Sequence, residues 1–229
     1  MSLSQSLRWS QIDTVLLDMD GTLLDLHFDT HFWLEHLPRR YAQIHNTDLT
    51  QTRHTLMAML QSNRGTLQWY CADYWSERLG VDIAALKAED VSRIGYRPYA
   101  ELFLQLLKRS GKRVVLVTND HRHSLCVKLA QTSLGEYLDA VIVSHDFGAA
   151  KEEQAFWHAM QGVEPFDPKR SLFIDDTADV LASAQRYGIA NLCYIAQPDS
   201  QRERVLDERF AALHCFSTLN QALQGISSE

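Results

Sequence analysis

At 229 residues the chain is long enough for one sizeable domain plus a smaller lobe. Its 29 acidic and 22 basic side chains leave a net charge of −7 with no Lys/Arg block, which argues against a nucleic-acid polymer or an anionic membrane as partner. Cys71, Cys126, Cys193 and Cys215 form no CxxC pair and have no His–Cys spacing suited to zinc, the N-terminal MSLSQSLRWSQ lacks an apolar signal core, and no run is long enough to span a bilayer, so a cytoplasmic protein with reduced thiols is expected.

The first predicted strand is the apolar run Val15-Leu16-Leu17, which ends abruptly in Asp18-Met19-Asp20-Gly21-Thr22. Strand alternation would send Asp18 and Asp20 to one side, and Gly21 permits an unusual backbone conformation or a close approach. Two acids gathered at the end of a buried strand repel each other and lose solvation, so something must compensate. A divalent cation suits the position, and Mg²⁺ prefers one or two carboxylates plus phosphate oxygens.

From Leu26 to Arg97 the pattern reads as helices only, over residues 29–45, 48–63, 66–79 and 82–93, with Pro38 placed to kink or split the first. Pro98 is positioned to open a helix that ends near Gly111. Residues 112–118 then read as a β-branched strand, 121–133 as a helix, 138–144 as a strand and 152–161 as a helix. The run Ser171-Leu172-Phe173-Ile174 is a strand ending in Asp175-Asp176, a helix from Thr177 stops at Gly188 as C-cap, and residues 189–195 close the series. Short apolar strands alternating with helices indicate a parallel sheet covered on both faces, with ligands beyond the carboxyl ends of the strands. The expected division is an α/β core of residues 1–25 and 98–229 carrying a helical cap of residues 26–97.

Four polar clusters thereby fall at one sheet edge: Asp18/Asp20, Thr118-Asn119, Lys151 and Asp175-Asp176. Taken singly, each has an ordinary explanation as a helix cap or a solvated charge. Their order and their common place at strand ends favour a shared site.

That ordered set resembles the haloacid dehalogenase (HAD) superfamily of phosphohydrolases: DxDGT, a strand-end Thr, a Lys and an acidic pair. A closer similarity, to bacterial GMP/IMP nucleotidases, lies in residues 13–26 (DTVLLDMDGTLLDL), 69–77 (WYCADYWSE), 151–154 (KEEQ) and 173–176 (FIDD). The resemblance implies a HAD-like Rossmannoid parallel-sheet core with an inserted α-helical cap, and Mg²⁺ as cofactor. It implies Asp18 as nucleophile, Asp20 as general acid/base, and Thr118, Asn119 and Lys151 on the phosphate. Asp18, the Asp20 carbonyl and Asp176, with Asp175 adjacent, would hold the metal. These residue types fit phosphoryl transfer through an aspartyl-phosphate.

Three of the five tryptophans, Trp33, Trp69 and Trp75, lie in the predicted cap. Small helical lobes need aromatics for their own core, yet a stacked base gains about 1–3 kcal/mol. Phe28, Trp33, Trp69 and Tyr74 are therefore the specificity candidates, and the sequence does not choose among them. The expected partner is a small phosphate ester, a purine nucleoside monophosphate first. A sugar-phosphate phosphatase or phosphomutase would use the same motifs, and a non-catalytic binding module is disfavoured by their being intact.

Overall fold

The computed structural model describes residues 7–226. Six parallel strands form one sheet in the order β3-β2-β1-β4-β5-β6: β1 (Thr14–Leu17), β2 (Arg113–Thr118), β3 (Ala140–Val143), β4 (Ser171–Asp175), β5 (Asn191–Ile195) and β6 (Ala212–Leu213). The parallel α/β core is thus as expected. All four residues of β1 are buried, which is why the central strands read as unbroken apolar runs instead of alternating.

Alternate residues of these strands feed two separate apolar layers. Val15, Leu17, Leu116 and Ile174 pack on one side with Phe103, Leu104 and Leu107 of α6 (Ala100–Arg109). Leu16, Val115, Val117 and Phe173 pack on the other with Phe156, Trp157 and Met160 of α8 (Gln154–Val163) and Val180, Leu181 and Ala184 of α9 (Ala178–Tyr187). The remaining core helices are α7 (Arg122–Gln131) and α10 (Ser217–Ile226).

Between β1 and α6 the chain is helical: α1 (His27–His31), a π-helical segment (Phe32–His36), α2 (Leu37–His45), α3 (Leu49–Asn63), a 3₁₀ turn (Leu67–Tyr70), α4 (Ala72–Leu79), α5 (Ile83–Ala88) and a 3₁₀ turn (Val91–Arg93). Phe32, Leu37, Leu56, Leu60, Trp75, Leu79 and Ile83 form a third apolar cluster of their own.

The helical expectations need five corrections. Residues 29–45 start earlier than expected and are divided into α- and π-helical segments just before Pro38. The helix starts at His27 and widens just before the proline, where the Leu37 N–H bonds the Phe32 carbonyl five residues back. Pro38 has no N–H for a normal helical bond, and the wider turn accommodates that loss. Residues 66–79 are not one helix, because Cys71 is extended at φ −88°, ψ 108° and caps α4 through its sulfur, which accepts from the Tyr74 N–H at 3.4 Å. Residues 82–93 stop as an α-helix at Ala88, where Glu89 turns to His36 and Arg40. Pro98 does not open its helix; α6 starts two residues later, after Tyr99 at φ 64°. Finally, the series does not close at Ile195, since β6 and α10 follow. A two-residue strand is too short to show a period in sequence.

Trp157 ties this scaffold to the sheet edge: it is fully buried, meets Phe156 and Phe173 edge-on, and donates from Nε1 to the Lys151 carbonyl at 2.9 Å. Trp157→Ala should cost about 3–5 kcal/mol of stability, the range for emptying a buried aromatic site. A urea unfolding series, read against the wild type, checks this through the shift of midpoint at constant slope.

Candidate active site

The register of the sheet assembles the site. Leu17 pairs with both Leu116 and Ile174, so the next residue on each strand, Asp18, Val117 and Asp175, reaches the edge at one level. Lys151, in the loop before α8, inserts its ammonium among these three. Its Nζ donates to Asp18 Oδ1 at 2.6 Å, to Asp175 Oδ2 at 2.7 Å and to the Val117 carbonyl at 3.1 Å. All three of its donors are thus used within the protein, and an entering anion would have to displace one of these acceptors.

Asp18, Asp175 and Asp176 each offer an oxygen within 4.8 Å of the others'. Three carboxylates around one ammonium leave an excess of two negative charges. Burial, reinforced by the Asp18 charge, pushes the Asp175 carboxyl up to about 7 against the pull of Lys151. Burial also raises Asp176 well above its ordinary value, with Asp18 and Asp175 adding to the effect. Asp18 Oδ2 is buried without a hydrogen-bond partner. An orphaned carboxylate oxygen beside two more acids, all hard oxygen donors, fits a divalent cation of the Mg²⁺ or Ca²⁺ class.

Gly21 makes this packing feasible. At φ +83° it occupies the left-handed region, and a Cβ there would lie 2.5 Å from Asp176 Oδ2 and 2.8 Å from Pro198 Cβ. The turn around it is closed by Gly21 N–H to the Leu24 carbonyl and Leu23 N–H to the Met19 carbonyl.

Asp20 addresses a different cation from Asp18. Its Oδ1 lies 2.7 Å from Nζ of Lys128, which also bonds Asp29 Oδ2 and Asp120 Oδ2 at 2.8 Å. Lys87 holds the other Asp29 oxygen at 2.8 Å. Two ammoniums therefore face three carboxylates, one negative charge too many for a buried cluster. Burial pushes Asp20 well up even against Lys128, whereas Lys128 and Lys87 outweigh burial at Asp29 and hold it low. Burial works against the charge of Lys128, but Asp120, Asp20 and Asp29 together raise it well above the ordinary lysine range.

Lys87, Asp29, Asp120 and Lys128 were not among the residues marked by sequence. The one available signal was a lysine inside the otherwise apolar stretch Leu125–Leu129, where a buried charge demands partners.

Thr118 is the last residue of β2 and Asn119 follows it at the sheet edge. Thr118 is fully buried, and its hydroxyl accepts from the Asp120 N–H at 2.9 Å. The Asn119 side chain is committed, with Oδ1 taking the Lys151 N–H and Nδ2 donating to Glu152 Oε2. The other Glu152 oxygen accepts from the Tyr70 hydroxyl at 2.9 Å, a direct link from the inserted helices to the sheet edge.

The aromatic candidates divide. Trp33 and Tyr74 pack edge-on against Trp75, the Trp69 carbonyl accepts from Trp75 Nε1, and the Tyr74 hydroxyl bonds Asn63, so these three help build the inserted lobe. Phe28 is buried with the ammoniums of Lys87 and Lys128 each 5.8 Å from its ring centre, beside the Asp20 cluster.

A family model described as haloacid dehalogenase-like hydrolase matches residues 12–188. The chain is 38% identical over 218 residues to the GMP/IMP nucleotidase YrfG of Escherichia coli (strain K12), covering 95% of this chain and 98% of that one. Among solved structures, a HAD phosphatase from Thermococcus onnurineus superposes with a TM-score of 0.79 at 19% identity, covering 93% and 99% of the two chains. A magnesium-bound HAD-hydrolase, YfnB of Bacillus subtilis, superposes with a TM-score of 0.66 at 16% identity over 93% and 98%.

If Gly21 is needed for the approach of Asp176, then Gly21→Ala should displace that carboxylate while the sheet stays folded. Calorimetric titration with Mg²⁺ should show at least ~10-fold weaker binding in Gly21→Ala, a penalty of about 1.4 kcal/mol, with an unchanged far-UV spectrum. Wild-type affinity in the variant would show that Asp176 moves aside freely.

Proposed function

The chain belongs to the haloacid dehalogenase-like hydrolases, and from that premise we propose that it is a Mg²⁺-dependent 5′-nucleotidase working through an aspartyl-phosphate on Asp18. The observation that carries the chemistry is the Asp18 carboxylate, held by Lys151 through one oxygen and left with a buried, unpartnered second oxygen at the sheet edge. The similarity to a GMP/IMP nucleotidase over nearly the whole of both chains supports purine monophosphates as substrates.

Asp18 attacks phosphorus, and the bond to the nucleoside 5′-oxygen breaks as that oxygen takes the proton of Asp20. Water then attacks the aspartyl-phosphate, gives its proton to the Asp20 carboxylate, and inorganic phosphate leaves with Asp18 restored. Burial, with Asp29 and Asp120 adding to it against Lys128, raises Asp20 above the ordinary carboxylate range, a direction that suits a proton donor. The Thr118 hydroxyl, the Asn119 backbone N–H and Lys151 hold the non-bridging oxygens, with Lys151 exchanging one internal acceptor for the phosphate. Mg²⁺ held by Asp18, Asp176 and the Asp20 carbonyl, with Asp175 adjacent, would neutralise the excess charge and let two anions meet. Asp175 serves chiefly to fix Lys151 and the Thr177 N–H, which already occupy its two oxygens. Phe28, buried beside the Asp20 cluster, would act through Lys87 and Lys128, whereas the partly buried Trp33, Trp69 and Tyr74 keep the ring surface that a base could stack on.

Asp18→Asn keeps the shape but removes the nucleophile and one negative charge, so turnover should fall by more than ~10³-fold in a folded protein. Phosphate release within tenfold of wild type would refute covalent catalysis at Asp18.

For the leaving group, kcat/KM should be higher for GMP and IMP than for UMP or CMP, and higher for nucleotides than for hexose phosphates, because a purine offers the larger stacking face. A phosphate-release comparison across these esters tests the order. A preference for a hexose phosphate would transfer the assignment to sugar-phosphate hydrolysis.

A further inference from the structure

Cys71, His121 and His145 come from three distant parts of the chain and meet where the inserted lobe touches the sheet edge. Cys71 is the N-cap of α4 in the lobe, His121 the N-cap of α7, and His145 lies in the turn after β3. Each offers a ligand atom within 4.8 Å of the others'. Tetrahedral ligands held at about 2.0–2.3 Å by a single ion lie roughly 3.3–3.8 Å apart, so the three side chains would draw together by at most about 1.5 Å to close around one ion.

Each histidine has one nitrogen directed to an outer partner and the other left free. His121 Nε2 lies 3.5 Å from Asp73 Oδ2, and its Nδ1 is buried without a partner. The His145 ring is hydrogen-bonded to the Asn119 backbone, and its Nε2 is buried without a partner. The two rings stand nearly perpendicular, 88° at 5.1 Å between centres. A carboxylate or carbonyl on one imidazole nitrogen, fixing the tautomer and turning the other nitrogen inward, is the arrangement that metal-binding histidines require. The Cys71 sulfur receives the Tyr74 N–H at the start of α4, a setting that suits a metal-bound thiolate.

We propose that Cys71, His121 and His145 form a binding site for a Zn²⁺-class transition metal, separate from the acidic Asp18 site, that clips the helical lobe to the phosphate-binding edge. One sulfur and two imidazoles select a borderline-soft ion over Mg²⁺, which takes oxygen ligands. The Asp18, Asp175 and Asp176 set is all oxygen, so the two sites sort ions by chemistry. The clip would act next to a contact that already joins the two parts, since Tyr70 is bonded to Glu152 and Glu152 holds Asn119. No pair of these ligands has the sequence spacing of a zinc motif, which is why composition and spacing pointed away from zinc.

The test titrates the EDTA-stripped full-length protein with Zn²⁺ by calorimetry in saturating Mg²⁺, which occupies the acidic site. One equivalent should bind at micromolar concentration or below and raise the Tm. Co²⁺ in place of Zn²⁺ should give thiolate-to-cobalt charge-transfer absorption. Cys71→Ser and His145→Ala should each weaken Zn²⁺ by more than ~100-fold, because loss of an outer partner alone costs about 10–100-fold. Cys71→Ser should also abolish the cobalt band and the Tm shift. The proposal is overturned by absence of the cobalt band in the wild type, a reading that needs no variant to fold. It is equally overturned if Zn²⁺ binds Cys71→Ser as tightly as wild type, or if saturating Mg²⁺ abolishes the binding. None of these readouts depends on phosphatase turnover.

Discussion

A single buried ammonium, that of Lys151, sets the terms for the rest of the site. Without it, Asp18 and Asp175 would confront each other at the end of adjacent buried strands, and the cheaper outcome would be protonation of one or both. With it, Asp18 stays fixed at one oxygen, and the excess of negative charge is reduced to what one divalent cation can neutralise. The fold supports this lysine from several sides: the Val117 carbonyl takes its third donor, Asn119 takes its backbone N–H, and Trp157 takes its carbonyl.

A second buried cation, Lys128, does for Asp20 what Lys151 does for Asp18, with one difference of consequence. Two of the groups around it, Asp29 and Lys87, belong to the inserted lobe. The charge cluster around Asp20 therefore draws its members from both the lobe and the core. The Tyr70–Glu152 bond and the Cys71, His121 and His145 cluster lie on the same seam, so three distinct chemistries meet where the lobe joins the core.

The core was legible because its signals are local. Continuous apolar strands, the DxDGT turn and the strand-end polar residues follow from the next few residues of chain, and the parallel register then aligns them automatically. The lobe was less legible for a physical reason. Its helices are short and broken at Cys71 and Glu89 by a sulfur cap and by ion pairs, features that helical periodicity does not carry. Trp33, Trp69 and Tyr74 looked equally suited to stacking a base; packing around Trp75 distinguishes them from Phe28, which lies against the two lysines.

By itself the sequence determined the parallel sheet, the helical insertion and which carboxylates sit at the sheet edge, because burial and strand period are properties of neighbouring residues. Only the tertiary structure decided which cation serves which acid. Lys151 reaches Asp18 across 133 positions and Lys128 reaches Asp29 across 99. Pairing at such separations depends on strand register and helix docking. A buried charge accepts whichever partner those bring within about 3 Å, whatever its distance along the chain.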